Sequence, residues 1–481
     1  MKKNLINIII TFLLLASITL LIYTYYKSEI VFDSKRRSHY LIYYIILSLG
    51  ILFFCVLLFL KKSVKENVLL TLSSFIILAY VIEGILIFTF NKSLSDIEIN
   101  KKRRLDRAKV ILEKYDINVD TRSKLEFQKD QKKKGTDLSL LITPFRMIQS
   151  EGIKNFSSKE SNEEPKRFYP LSGLSKTLTV GGAESGKYIV YKSDRYGFYN
   201  PDEEWDNKVK IVVIGDSNVH STSTKWENSW AGKLKKITNK STLSLGIGNN
   251  GPLLELATLK EYAQKLKPEF VIWIYCEDND LVELVEEMKS RMLSQYLKRD
   301  FTQNLMIKQN LVEKNYKIFV NQKVKEKDLT NENEAFSNDN DLENNYLSYI
   351  KLSKLRDMLF SNLIDYLKVN NSEENLGNFK KVISEAKEIT EDFGGEFYFV
   401  YLPATTRYVS TFNNHLKRND FYRNEILEII ENLNINIIDL WDLHFKDLQD
   451  PLSTLYFRMH SHYNKETVEI LTKKIVQIIE K

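Results

Sequence analysis

The chain has 481 residues, more than one ordinary domain requires. Its formal net charge of +6 is small for this length, so we expect no nucleic-acid partner. The two cysteines, Cys55 and Cys276, lie in different apolar segments, so the sequence indicates no disulfide framework and leaves the redox compartment open.

Residues 1–92 contain three nearly uncharged apolar stretches, at 5–23, 40–60 and 68–90. Each is about 20 residues long, which is enough to cross a hydrocarbon core of about 30 Å. A secretory signal peptide would explain only the first stretch, and no small-residue cleavage site follows it. The sequence therefore predicts a membrane domain with three transmembrane helices and a multi-pass protein in contact with the lipid bilayer.

Charged residues in and around these stretches bear on topology and function. The lysines and arginines that flank the stretches favour, by the positive-inside rule, a cytoplasmic location for the rest of the chain. Glu83 lies within the third stretch, where an ionisable group is costly. It is either a functional group or a carboxyl that joins the helices by a hydrogen bond.

Residues 93–205 form a charged linker and a small accessory region, in which 103–115 has the spacing of an amphipathic helix. The segment 181–187 reads Gly-Gly-Ala-Glu-Ser-Gly-Lys and has the spacing of a phosphate-binding loop up to its lysine. Tyr188 follows where such a loop requires Ser or Thr. A strand pattern then replaces the helix whose N-terminus would meet the phosphate, so we dismiss a phosphate site here.

Residues 206–481 alternate between strand and helix patterns, which implies parallel strands with helices on both faces. The predicted strands cover 210–214, 242–247, 270–275, 396–402 and 435–440. The predicted helices cover 253–266, 421–433 and 465–479. A polar insertion at about 282–385 includes the Asn/Glu/Asp-rich stretch 331–345, and we expect helical ends and a disordered middle.

Polar motifs follow the predicted strands. The first strand runs into Gly215, Asp216 and Ser217, which places a serine at the carboxyl end of a strand, where ligands of parallel sheets gather. A serine hydroxyl becomes a nucleophile when a nearby base removes its proton. Further residues with suitable groups follow the next strands or precede the last helix: Gly248, Asn249, Asn279 and His462.

These motifs, in this order, resemble the SGNH/GDSL hydrolase family over about 195–300 and 395–481. The resemblance implies an α/β fold, namely a flavodoxin-like three-layer α/β/α domain with a five-stranded parallel sheet. It also implies that Ser217 is the catalytic nucleophile and that His462 is its base.

The resemblance further implies an oxyanion pocket, since acyl transfer places negative charge on an oxygen that must meet preorganised donors. Its candidates are the backbone N–H of Ser217, the backbone around Gly248 and Asn249, and the side-chain amide of Asn279. Asn249 occupies the register where the family usually has a glycine, so Gly248 is the alternative donor.

The clearest departure from the family concerns the acid that orients the histidine. The family usually has an aspartate two or three residues before that histidine, where this chain has His460 and Met459. Either a backbone carbonyl orients His462, or another carboxylate does. The nearest carboxylates in sequence are Asp439 and Asp450.

We therefore expect a membrane-anchored serine esterase or O-acyltransferase acting on an acylated, in the first instance acetylated, cell-envelope polysaccharide. We expect no cofactor and no metal, since a His-x-His pair needs further ligands. Membrane-tethered relatives work on envelope glycans outside the cell, so the resemblance favours an extracytoplasmic large domain. Two alternatives remain: a catalytically inactive SGNH fold that binds glycan or scaffolds envelope-assembly partners, and a lipid esterase.

Overall fold

The computed structural model describes residues 2–31, 37–91, 96–148, 168–326, 372–405 and 413–480, together with Leu352, Leu355 and Arg407. The chain divides into two compact units. One comprises Met1–Ser95 and Asn340–Glu374, and the other comprises Asp96–Asp339 and Asn375–Lys481.

The first unit is built on apolar helices. They are α1 (Lys2–Tyr25, continued by a π-helical turn over Tyr26–Val31), α2 (Arg37–Phe59) and α3 (Lys62–Asn91). Within the described residues, two helical segments are long and apolar enough to cross a bilayer, Leu5–Ile30 and Lys62–Leu86. The prediction of three spans is therefore corrected to two. The described apolar part of α2, Tyr43–Phe59, is shorter than the about 20 residues that a membrane span requires.

Polar side chains in the first unit are hydrogen-bonded. Lys65 Nζ donates to Asn7 Oδ1 at 2.9 Å and to the carbonyl of Leu58 at 2.7 Å, which ties the three helices together. Glu83 is fully buried, and its carboxyl accepts a hydrogen bond from the backbone N–H of Leu355 at 2.7 Å. Glu83 thus has a structural partner, which comes from the polar insertion.

The remaining elements build the α/β part of the chain. The helices are α4 (Asp96–Tyr115), α5 (Lys124–Lys133), α6 (Pro144–Ile148), α7 (Ser217–His220), α8 (Trp230–Thr238), α9 (Pro252–Thr258), α10 (Gln264–Leu266), α11 (Asp280–Glu287), α12 (Gln309–Glu326), α13 (Ser372–Asp392), α14 (Asn413–Asn432) and α15 (Lys465–Ile479). The strands are β1 (Ser139–Leu140), β2 (Leu178–Val180), β3 (Val190–Lys192), β4 (Ile211–Gly215), β5 (Thr242–Ser244), β6 (Phe270–Cys276), β7 (Glu396–Leu402) and β8 (Asn436–Asp439).

The main sheet confirms the predicted five-stranded parallel α/β domain. Its strand order is β5-β4-β6-β7-β8, and each neighbouring pair is parallel. This is the flavodoxin-like order, with the first strand of the sheet in chain order next to the edge. A smaller sheet, β1-β2-β3, is formed by the residues that precede it.

Side chains of the central strands alternate between two apolar layers, as the period of a strand requires. Ile211 and Val213 of β4 belong to one buried cluster, to which α8 and α15 also contribute. Val212 and Ile214 belong to the other, to which α9 and α13 contribute. Helices therefore cover both faces of the sheet. Of the polar insertion, α11, α12 and α13 are described at its two ends, whereas 331–345 lies outside the described residues.

A buried polar residue attaches the turn before β4 to the edge strand β5. Asn200 accepts a hydrogen bond from the backbone N–H of Ser244 at 2.8 Å and donates to the carbonyl of Ser244 at 2.8 Å. It also donates to the carboxylate of Asp194 at 2.9 Å. The side chain of Asn200 thereby pairs with the free edge of the sheet in the way the backbone of another strand would.

We predict that Asn200→Ala lowers the free energy of unfolding by about 2–4 kcal/mol, because buried hydrogen-bond partners lose their bonds and become unsatisfied. Urea or thermal unfolding of the full chain in detergent measures the loss. Asn207→Ala is the matched control, since its side chain makes an exposed hydrogen bond to the carbonyl of Glu203, and we expect a change below about 0.5 kcal/mol. Equal effects of the two substitutions would contradict the bracing role.

Candidate active site

Ser217 lies at the carboxyl end of the central strand β4, as the first residue of the short helix α7. Asp216 caps this helix, and its side chain accepts the backbone N–H of Asn218 at 2.8 Å. A side chain on Gly215 would place its Cβ 2.5 Å from Val219 and 2.8 Å from the carbonyl of Ile274. Only glycine allows the chain to turn this tightly, so the Gly-Asp-Ser sequence fixes the position of the serine.

His462 reaches Ser217 from the loop that precedes α15. Its Nε2 lies 2.8 Å from the Oγ of Ser217. The next residue, Tyr463, is buried and donates its hydroxyl to the carbonyl of Pro403 at 2.8 Å, and Asn464 caps α15 through the N–H of Thr467. These contacts hold the loop at the carboxyl edge of the sheet, where the serine lies.

Glu184 is the carboxylate that contacts the histidine, with its Oε2 2.8 Å from the Nδ1 of His462. No motif in the sequence marks Glu184 for this role. Both sequence-based candidates for this role are engaged elsewhere, Asp439 by an ion pair with Arg423 and Asp450 by Arg458 at 2.7 Å. The structure thus completes a contact chain of carboxylate, imidazole and hydroxyl.

The glycines around Glu184 explain the loop that resembles a phosphate-binding motif. A Cβ on Gly181 would lie 2.5 Å from the carbonyl of Thr222, and one on Gly182 would lie 2.1 Å from the hydroxyl of Ser223. Gly186 has φ +103, a conformation that strongly favours glycine. These glycines let the loop pack closely behind α7 and point Glu184 at His462. The spacing of the glycines in 181–187 predicts a tight loop, but it does not show which part of the fold this loop packs against.

In Glu184 and His462, burial and the neighbouring charges shift the pKa in opposite directions. Burial by itself raises the pKa of Glu184, but the nearby His462, His460 and Arg107 hold that pKa below its ordinary value. Burial by itself lowers the pKa of His462, yet the Glu184 carboxylate, aided by Asp216 and Asp278, raises it to about 9. The pair is therefore a carboxylate and an imidazolium at neutral pH.

The predicted oxyanion residues lie in two loops that meet at Glu283. Asn279 donates its side-chain amide to Glu283 at 2.7 Å, and the side chain of Asn249 is also hydrogen-bonded to Glu283. Asn249 adopts the left-handed conformation, with φ 63, which asparagine tolerates. A Cβ on Gly248 would be 3.7 Å from the Cβ of Ser217, so the backbone of Gly248 borders the serine.

A hydrogen bond to His220 occupies the backbone N–H of Gly248. The N–H of Gly248 donates to the Nδ1 of His220 at 3.3 Å, a long hydrogen bond. Burial lowers the pKa of His220 to about 3, so this imidazole is neutral. His220 thus supports the loop after β5 rather than serving as a second base.

The chain is structurally similar to lipolytic proteins and esterases of the GDSL type. One is a putative lipolytic protein of the G-D-S-L family from Desulfitobacterium hafniense DCB-2, with 13% identity and a TM-score of 0.31, covering 56% of this chain and 99% of that chain. Another is the psychrotrophic esterase EstA from Pseudoalteromonas sp., with 9% identity and a TM-score of 0.27, covering 56% and 96%. No protein-family model and no curated protein sequence matches the chain.

Three acidic residues that follow β6 are each engaged by a neighbour. Arg407 forms a buried ion pair with Glu277, and Thr405 donates its backbone N–H to Asp278 at 2.8 Å. Asp280 accepts the backbone N–H of Cys276 at 2.8 Å instead of capping α11. Within the described residues, no group of three or more His, Cys, Asp or Glu is arranged to hold a metal ion.

Glu287 supports the loop that contains Gly248 and Asn249. It is fully buried, and its carboxyl accepts the backbone N–H groups of Gly251 at 2.6 Å and Leu253 at 2.8 Å. Burial raises its pKa to about 7, although these N–H groups oppose the shift. A carboxyl whose pKa is raised on folding stabilises the fold below its unfolded pKa, and this contribution is lost as the pH rises through the folded value.

We predict that the protein becomes less stable between about pH 5 and about pH 8, and that Glu287→Gln removes on the order of 2–3 kcal/mol of this decline. Thermal unfolding at several pH values measures it. Glu469→Gln is the control, since hydrogen bonds from Lys233 and Lys473 lower the pKa of Glu469 to about 2, outside this range. An unchanged slope in Glu287→Gln would show that Glu287 does not titrate there.

Proposed function

We propose that this chain is a serine esterase or O-acyltransferase of the SGNH type that forms an acyl-serine intermediate. The observation that carries the proposal is the contact chain from Glu184 through His462 to Ser217, with 2.8 Å at each step. A serine at a strand end becomes a nucleophile when an oriented imidazole accepts its proton. This arrangement supplies both groups and the carboxylate that orients the imidazole.

In the proposed mechanism, neutral His462 carries its proton on Nδ1, which donates to Glu184, and its Nε2 accepts the proton of Ser217. The Oγ of Ser217 attacks the acyl carbonyl, and the tetrahedral intermediate collapses with expulsion of the alcohol, which takes the proton from Nε2. Water or an acceptor hydroxyl then attacks the acyl-serine with His462 again as base, and the bond from the acyl carbon to Oγ breaks as Ser217 regains its proton from Nε2. Glu184 remains ionised and stabilises the imidazolium.

The oxyanion of the intermediate meets donors at the start of α7 and after β6. The backbone N–H of Ser217 lies in the first turn of α7, where N–H groups have no intrahelical partner. The amide nitrogen of Asn279 has two hydrogens, and one of them is donated to Glu283, which leaves the other for the oxyanion. The backbone of Gly248 and Asn249 forms the opposite wall of the proposed pocket.

We further propose that the substrate is an acylated cell-envelope polysaccharide and that the protein is anchored in the membrane, with its large domain extracytoplasmic. The apolar helices Leu5–Ile30 and Lys62–Leu86 support the anchoring. Hydrolysis and transfer share the first half-reaction, and exclusion of water from the acyl-serine decides between them. The contact between Glu184 and His462 weakens the alternative of a catalytically inactive fold, which drew support from the absence of an acid near His462 in the sequence.

A fluorophosphonate probe tests the activation of Ser217. We predict that the full chain in detergent gains one adduct, mapped by mass spectrometry to Ser217, and that Ser217→Ala abolishes it. His462→Ala should slow the labelling at least about 10³-fold, because the hydroxyl loses its base.

His444→Ala is the matched control for the histidine substitution. His444 lies in the turn after β8 and is absent from the contact chain, so this variant should label at the rate of the unaltered protein. Absence of an adduct on well-folded protein would refute the proposed mechanism. Release of acetate from O-acetylated polysaccharide, compared with transfer to an added oligosaccharide, then identifies the second half-reaction.

The pH dependence tests the role of Glu184. The base must be neutral, and the pKa of His462 is about 9, so labelling should rise with pH and reach half its maximum near pH 9. In Glu184→Gln the imidazolium loses its carboxylate, so the midpoint should move down towards the ordinary histidine value of about 6.5 while the maximal rate falls about 10²–10⁴-fold. Labelling across about pH 5–10 measures both effects. A midpoint that does not move would exclude Glu184 as the partner of His462.

A further inference from the structure

The helix α4 contacts the loop that bears the proposed base. Tyr115 packs its ring against Phe457, with 5.7 Å between ring centroids, and its hydroxyl reaches the carbonyl of Phe457 at 3.5 Å. About two turns earlier on the same side of α4, Arg107 Nη1 lies 3.3 Å from the Nδ1 of His460. The helix α4 therefore contacts the loop that bears His462 at two residues, Phe457 and His460.

His460 faces the second oxygen of the Glu184 carboxylate. Its Nδ1 lies 3.8 Å from the Oε1 of Glu184, while the other oxygen, Oε2, contacts His462 at 2.8 Å. A guanidinium has only donors, so the Nδ1 of His460 is an acceptor when it meets Arg107, and its proton is on Nε2. His460 is thus a neutral imidazole that turns a lone pair towards a carboxylate.

A lone pair facing a carboxylate oxygen is repulsive unless a cation compensates for it, and Arg107 supplies this cation. Its charge acts on both partners: it helps to hold the pKa of Glu184 down. For His460, burial is the largest cause of a lowered pKa, with Arg107 and His462 acting in the same direction and Glu184 opposing them. Arg107 therefore acts in the direction that favours an ionised Glu184 and a neutral His460.

We propose that Arg107 and His460 are positioning residues that hold Glu184 on His462, so that the helix α4 is part of the active site. Without the guanidinium, His460 gains a proton more easily and becomes a second cation that competes with His462 for the same carboxylate. The Glu184 carboxylate then hydrogen-bonds to either of two imidazolium groups, so it orients His462 less well. The inference rests on the proposed function, because it requires Glu184 to act through His462.

The test compares three variants of the full chain in detergent by the rate of fluorophosphonate labelling. Arg107→Ala should slow labelling about tenfold at neutral pH, the effect expected when a positioning group is lost. Arg107→Lys restores the charge and should remain within about threefold of the unaltered protein. Lys109→Ala removes a charge from the same helix, but its partner is Glu113, so labelling should be unchanged.

A histidine titration gives an independent readout that loss of structure alone would not produce. The chain has six histidines, and His460→Gln assigns the resonance of His460 in an NMR titration. In Arg107→Ala the pKa of His460 should rise, whereas in Lys109→Ala it should stay where it is. A His460 titration that does not respond to Arg107→Ala would overturn the proposal.

The labelling results separate the two proposals. If the unaltered protein does not label, the proposed function fails, and the positioning role fails with it. If the unaltered protein labels and Arg107→Ala labels equally fast at every pH, the proposed function stands and only the role of Arg107 is overturned. Slower labelling together with a raised pKa of His460, both restored by Arg107→Lys, would support it.

Discussion

The hydrogen bond between Glu184 and His462 is the interaction on which the candidate site depends. Each group is partly buried, and burial alone would disfavour both charges, by raising the pKa of the carboxyl and lowering that of the imidazole. Together they remain ionised, because each supplies the charge that the other lacks. Removing either partner would leave an uncompensated buried charge, which is costly. The loop around Glu184 and the loop around His462 therefore stabilise each other.

This pairing changes how the chain is divided. The predicted boundary at residues 205–206 separates Glu184, in the accessory region, from Ser217 and His462. The contact distances join them into one site. The accessory region also packs against the loop after α7, at Thr222 and Ser223, through Gly181 and Gly182, whose lack of side chains permits that approach. The small sheet and its loops thus complete the α/β domain by supplying a group that the domain itself lacks at this position.

Much of the fold could be predicted from the sequence, because buried strands are recognised by local runs of apolar residues. The strand Glu396–Leu402 was predicted with the bounds it has, and Ser217 and His462 follow from motifs at strand and helix ends. The second predicted span is not among the segments that are long enough to cross a bilayer, since the described apolar part of α2 is Tyr43–Phe59. Glu184 could not be predicted, since it lies 278 residues from His462 and its role depends on how a loop packs.

The acidic residues after β6 raise the question of how an anionic intermediate could form beside them. Two are engaged by partners: Arg407 offsets the charge of Glu277 in an ion pair, and Thr405 donates two hydrogen bonds to Asp278. Burial raises the pKa of Asp280 and Glu283 well above the ordinary value, which favours the neutral form of both carboxyls. A protonated Glu283 adds no negative charge and still accepts the amide of Asn279. Burial of these carboxyls therefore lets an acid-rich segment border the pocket that is proposed to hold an oxyanion.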